Sequence, residues 1–91
     1  FAFIEALTEA GMSVGMPRNM AQTLATETAV GATKLAQESG EDPALLRQMV
    51  TSPGGTTEAA LREFDRGQFK TTLINAAGAA YRRARELGGN S

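Results

Sequence analysis

Apolar residues in this chain recur every three to four positions almost from end to end, and no segment alternates with period two over any useful length. That period excludes a sheet and predicts an all-α fold. Phe3, Ile4, Leu7 and Ala10 or Gly11 mark one face of a first helix that ends around Gly11 to Gly15. Pro17 fits the first turn of a long second helix running to about Ser39, with Gly40 suited to its C-cap. Asp42 as N-cap and Pro43 at the first helical position begin a short third helix, whose apolar face is Leu45, Leu46, Met49 and Val50. A fourth helix opens at Thr56-Thr57-Glu58, carries Ala60, Leu61 and Phe64, and is broken by Asp65-Arg66-Gly67. The fifth presents Phe69, Leu73, Ala77, Ala80, Ala84 and Leu87 before Gly88-Gly89 ends it.

Five helices joined by short turns make a five-helix bundle, and its core is lean. The second helix offers Met20, Leu24, Thr28, Gly31 and Leu35, flanked by Ala21, Ala25, Ala29 and Ala32. Small residues at that density let another helix approach closely, and they predict burial of this face. With only four Phe and one Tyr in 91 residues, such a bundle buries little per residue and is marginal alone. Two sources could supply the missing burial. A second copy could share a core across an obligate interface, or a domain outside this chain could cover the lean face. The residues leave both open.

The most distinctive stretch lies between the third and fourth helices, where Val50 is followed by Thr51-Ser52-Pro53-Gly54-Gly55-Thr56-Thr57. Pro53 stops a helix, the two glycines free the backbone, and a helix N-terminus follows. Unpaired N–H groups and the helix macrodipole favour negative charge there, and Ser52, Thr56 and Thr57 add hydroxyls. The stretch therefore reads as a cradle for a carboxylate or phosphate; the plain alternative is an interhelical turn capped by threonine. It is not a Walker loop, since no Gly-Lys-Ser/Thr follows, nor a dinucleotide fingerprint, since no strand precedes it. Glu58 is the nearest carboxylate, readable as a catalytic acid or, better, as an acidic first-turn residue suited to the dipole.

Several functions are excluded by what the chain lacks. It has no Cys and no His, so a zinc site, thiol chemistry and histidine acid–base catalysis have no residues to run on. Absence of cysteine suits a cytoplasmic protein. A net charge of −1 with signs mixed along the sequence gives no footprint for nucleic acid. Arg82, Arg83 and Arg85 read as the solvated end of a helix, where cations suit the dipole. No apolar run approaches the ~20 residues needed to span a bilayer, so no membrane partner is expected. The opening Phe-Ala-Phe-Ile starts mid-pattern, without initiator Met or signal segment, as expected of a piece of something longer.

Val50-Thr51-Ser52-Pro53-Gly54-Gly55-Thr56-Thr57, followed by Ala60, Leu61 and Phe64, resembles the signature of pyrroline-5-carboxylate reductases. The opening Phe-Ala-Phe-Ile-Glu-Ala-Leu-Thr-Glu-Ala-Gly, the Gly15-Met16-Pro17 step and Leu73-Ile74-Asn75-Ala76-Ala77 are similar to that family too, so the resemblance covers the whole chain. It implies a helical dimerisation domain over residues 1–91, preceded in the complete enzyme by a Rossmann domain that binds NADPH or NADH. This chain has no Gly-x-Gly-x-x-Gly, so the cofactor would be held mainly outside it and the isolated piece would be inactive.

The implied reaction reduces Δ1-pyrroline-5-carboxylate to L-proline. Ser52 and the amides near Gly55, Thr56 and Thr57 would hold the substrate carboxylate, and the Thr57 hydroxyl would face the ring nitrogen. Thr57 is the catalytic candidate, as an orienting group rather than a true acid; its plainer reading is a capping hydroxyl. A cyclic imine carries its own proton, which is why no His, Cys or metal is needed. The implied partners are the small-molecule substrate and a second copy of the chain, with an oligomer of dimers left open. The long Ala/Thr/Gly helix would be a core element of the interlocked dimer. A reading from another class, a free-standing helical interaction module, treats the glycine-rich turn as a turn only. A β-hydroxyacid-type dehydrogenase domain is a third reading, against which the loop argues.

Overall fold

The computed structural model describes residues 1–89. Among them are five α-helices and no strand: α1 (Ala2–Ser13), α2 (Arg18–Ser39), α3 (Pro43–Met49), α4 (Thr56–Arg66) and α5 (Phe69–Leu87). The all-α expectation holds. The chain divides into two compact units, Phe1–Arg47 and the residues from Gln48 onward, with the division falling inside α3.

In the first unit α1 packs on α2. α1 closes in a Schellman arrangement: the N–H of Met16 bonds the carbonyl of Gly11 at 3.0 Å, and that of Gly15, at φ 108°, bonds the carbonyl of Met12 at 3.0 Å. Pro17 is the N-cap of α2 rather than its first helical residue. The buried residues of this unit are small: Thr8, Ala21 and Ala25. Gly11 is what lets the helices come together, because a Cβ there would stand 3.0 Å from the Cβ of Ala21. Thr8 carries its hydroxyl into the contact without leaving it unpaired, donating to the carbonyl of Ile4 at 2.8 Å.

The close approach expected at the small residues of α2 is found at Ala21 and Ala25. Met20, Leu24 and Leu35 are exposed, and burial goes instead to the flanking alanines. The reason is steric: α1 approaches on the side that has no bulk, and the leucine side is left uncovered within the chain. Gly40, at φ 69°, is the left-handed C-cap of α2 as expected. Asp42 then caps α3, its Oδ1 accepting from the N–H of Ala44 at 2.9 Å and its carbonyl from Leu45 and Leu46.

In the second unit α4 packs on α5. The rings of Phe64 and Phe69 meet across the corner with centroids 4.7 Å apart, a tilted offset pair. Gly67 ends α4, but the left-handed backbone sits one residue later, on Gln68 at φ 57°. Phe69, Leu73, Ile74, Tyr81 and Leu87 of α5 are all exposed, and neither helix contains a buried residue. The arginines near the end of α5 are solvated, as expected; Arg83 pairs with Glu86 at 3.1 Å and Arg85 lies over the Tyr81 ring. No helix among the described residues is long and apolar enough to cross a membrane.

Candidate functional site

The loop that joins α3 to α4 is built by its own hydrogen bonds. The N–H of Gly55 donates to the carbonyl of Ser52 at 3.0 Å. With Pro53 second and Gly54 third at φ 74°, this is a type II turn, which requires positive φ at its third residue. Gly55 must also be bare: a Cβ there would stand 3.1 Å from the Ser52 carbonyl oxygen and 3.4 Å from Ser52 Oγ. Sequence dictates the shape of this loop residue by residue.

Gly55 is the N-cap of α4, so Thr56, Thr57 and Glu58 are its first three helical residues. No side chain caps the helix, and among the described residues nothing accepts from the N–H groups of Thr56, Thr57 or Glu58. The Gly55 amide, by contrast, is already held in the turn. Open donors therefore begin at Thr56. Ser52 and Thr56 are exposed, and Gly55 and Thr57 are half-buried. Neither threonine hydroxyl is used as a cap, so the capping reading of Thr57 has no hydrogen bond behind it. The arrangement can present two or three parallel N–H groups, the positive end of a helix and adjacent hydroxyls to a small anion.

Glu58 is an acidic first-turn residue of α4, as favoured on the sequence, and its carboxylate has a further role. Its Oε1 accepts from the N–H of Gly54 at 3.1 Å and from Arg62 Nη2 at 2.8 Å. That is the reach-back of a capping box displaced by one residue, from the third helical position to the residue before the N-cap. Arg62 was not visible as part of the site. The signal for it was present in the Glu58-to-Arg62 spacing of four, the favourable order for an ion pair on a helix.

The described residues contain no strand, and the glycines of the loop are consumed by a turn between helices. They also contain no cluster of three His, Cys, Asp or Glu able to hold a metal ion.

Residues 1–87 match the family model for pyrroline-5-carboxylate reductase dimerisation. Among curated proteins, the chain is 46% identical over 87 residues to a pyrroline-5-carboxylate reductase of Arabidopsis thaliana, covering 96% of this chain and 32% of that protein. It is likewise 49% identical over 84 residues to the enzyme of Pisum sativum, covering 92% of this chain and 31% of the relative. Among solved structures, that of a Coxiella burnetii pyrroline-5-carboxylate reductase superposes with a TM-score of 0.90 at 41% identity, over 96% of this chain and 32% of the other. A Plasmodium falciparum pyrroline carboxylate reductase, crystallised with NADP bound, gives a TM-score of 0.91 at 30% identity, over 99% of this chain and 36% of that one. The chain spans about a third of the length of these relatives.

Proposed function

This chain belongs to the pyrroline-5-carboxylate reductase dimerisation family, and on that footing we propose that it serves as the helical domain of an enzyme reducing Δ1-pyrroline-5-carboxylate to L-proline. The chemistry of reduction would come from NADPH or NADH bound by a Rossmann domain preceding this one in the full-length protein. The part played by this chain is to bind and orient. The observation that carries the proposal is the set of open N–H groups at Thr56 and Thr57 beside uncommitted hydroxyls, next to a turn whose Gly54 and Gly55 amides are already held.

The substrate carboxylate sits at the α4 N-terminus, taking the Thr56 and Thr57 amides and the Ser52 hydroxyl. Gly55 contributes by absence, since any side chain would push Ser52 aside. With the carboxylate fixed, the ring can turn only about its own attachment, and the Thr57 hydroxyl meets the ring nitrogen. An imine at that nitrogen carries a positive charge when protonated, and Thr57 orients it by accepting that proton's hydrogen bond. Orientation of this kind accounts for large rate effects without any acid or base in the protein.

The exposed apolar residues support a second copy as partner. The described residues bury no large side chain, and a chain with that surface requires a cover. The test of the site is kinetic. In the full-length reductase, Thr57→Ala is expected to lower kcat/KM about a hundredfold while the thermal midpoint stays within about 2 °C. Wild-type kinetics in a folded Thr57→Ala enzyme would overturn the reading.

A further inference from the structure

We infer that Glu58 and Arg62 form a positioning pair for the carboxylate cradle, which deepens the proposed function and rests on it. Glu58 stands at the third position of α4, at the same helix end that would receive the substrate anion. A bare carboxylate there would repel that anion. Two contacts change its effect. Its Oε1 takes the N–H of Gly54, tying the Pro53–Gly54 corner of the loop to the first turn of the helix. The same oxygen accepts from Arg62 Nη2 at 2.8 Å, one turn further along, which neutralises it.

The geometry separates the two duties. The turn bond from Gly55 to Ser52 sets the local shape of the loop, but it does not fix that turn against α4. Glu58 ties the Gly54 corner to the helix by a side chain, beside the backbone bond from the Ala59 N–H to the Gly55 carbonyl. Loss of the acceptor frees the corner, and the Ser52 hydroxyl then no longer stands at a set place beside the Thr56 and Thr57 amides. Loss of the arginine leaves the corner tied but an uncompensated negative charge beside the cradle. The first defect is one of position and the second is one of charge.

Three variants of the full-length enzyme, read by KM for Δ1-pyrroline-5-carboxylate, kcat and thermal midpoint, test this. Glu58→Ala and Glu58→Gln both remove the charge, and only glutamine retains an oxygen able to accept from Gly54. Their KM ratio is expected to be about fivefold, in favour of glutamine, with kcat alike within about twofold, as for loss of one hydrogen bond felt in binding. Arg62→Met is expected to raise KM about threefold at low salt, and the increase should vanish near 1 M salt, where the screening length falls to roughly 3 Å. A KM ratio of one between the alanine and glutamine variants overturns the inference, whatever happens to the thermal midpoint. Should Glu58→Ala fail to fold, an Arg62→Met enzyme whose KM is unchanged or insensitive to salt overturns it instead. Thr57→Ala, assayed in parallel, keeps the two levels apart. If it retains wild-type kinetics, the site itself is misplaced; if it is crippled while the Glu58 variants match each other, only the positioning role falls.

Discussion

Where α1 meets α2 the fully buried residues are alanine and threonine, set against a glycine; where α4 meets α5 the contact is a pair of phenylalanine rings at a corner, with no residue of either helix buried. The first pair achieves its contact by close backbone approach. Gly11 against Ala21 brings the helices near enough for their surfaces to exclude water without bulk. The second pair has bulk and no cover. Large residues run along α5 from Phe69 to Leu87, and a hollow of about 340 Å³ lined by Phe64, Phe69, Leu73 and Ala76 lies open beside them. The first pair has a closed seam but leaves Met20, Leu24 and Leu35 open, and the second has the composition of half an interface. The dimerisation family to which the chain belongs fits that contrast, since an obligate interface resembles a domain core cut in two.

The contrast breaks most visibly if the first pair is overfilled. Ala21→Leu adds a branched side chain at the Cβ that already stands closest to Gly11, on a residue only 2% exposed. We expect a loss of about 3 kcal/mol in urea unfolding, the upper end of what overpacking costs. A loss below about 1 kcal/mol would mean that the α1–α2 contact yields, and that the close approach is not what holds it.

The second pair responds to a different measurement. Leu73 is 61% exposed in the single chain, so truncation to alanine removes little from the chain's own fold. If a second copy covers α5, Leu73→Ala should weaken association by about 1–2 kcal/mol, a five- to thirtyfold rise in the dimer dissociation constant. Sedimentation over a range of concentrations reads this directly. An unchanged dimer would place the interface elsewhere on the chain.

The helices were legible because each boundary has a local chemical cause. Gly40 and the Asp42-Pro43 pair act on the residues beside them, and the structure has the predicted caps. Which face of α2 is buried was not legible. A stripe of Met20, Leu24 and Leu35 looks like a core stripe to any periodicity argument, yet a glycine on another helix selected the alanine side. Nor could Gln68 be foreseen as the left-handed residue when Gly67 stood next to it. At the loop, the open amides followed from the Pro-Gly-Gly-Thr order. The Glu58–Gly54 bond did not, because a glutamate at a helix start is already accounted for by the dipole.

The smallest expected effect concerns the ion pairs of α4. Glu63 and Arg66 lie 2.6 Å apart on the same helix that carries the Phe64 ring, and both are well exposed. If the α4–α5 corner is held by its rings, Glu63→Gln should change stability by less than about 0.5 kcal/mol, the range for an exposed pair at this spacing. The comparison with Phe64→Ala is what sharpens the point. An aromatic pair in offset contact contributes about 0.5–1.5 kcal/mol beyond the area it buries, so the phenylalanine variant should lose several times more. Equal losses from the two variants would mean that the rings contribute no more than an exposed ion pair within α4. Between 0.1 M and 1 M salt the small contribution of the Glu63–Arg66 pair should be screened, while that of the Phe64–Phe69 contact should not.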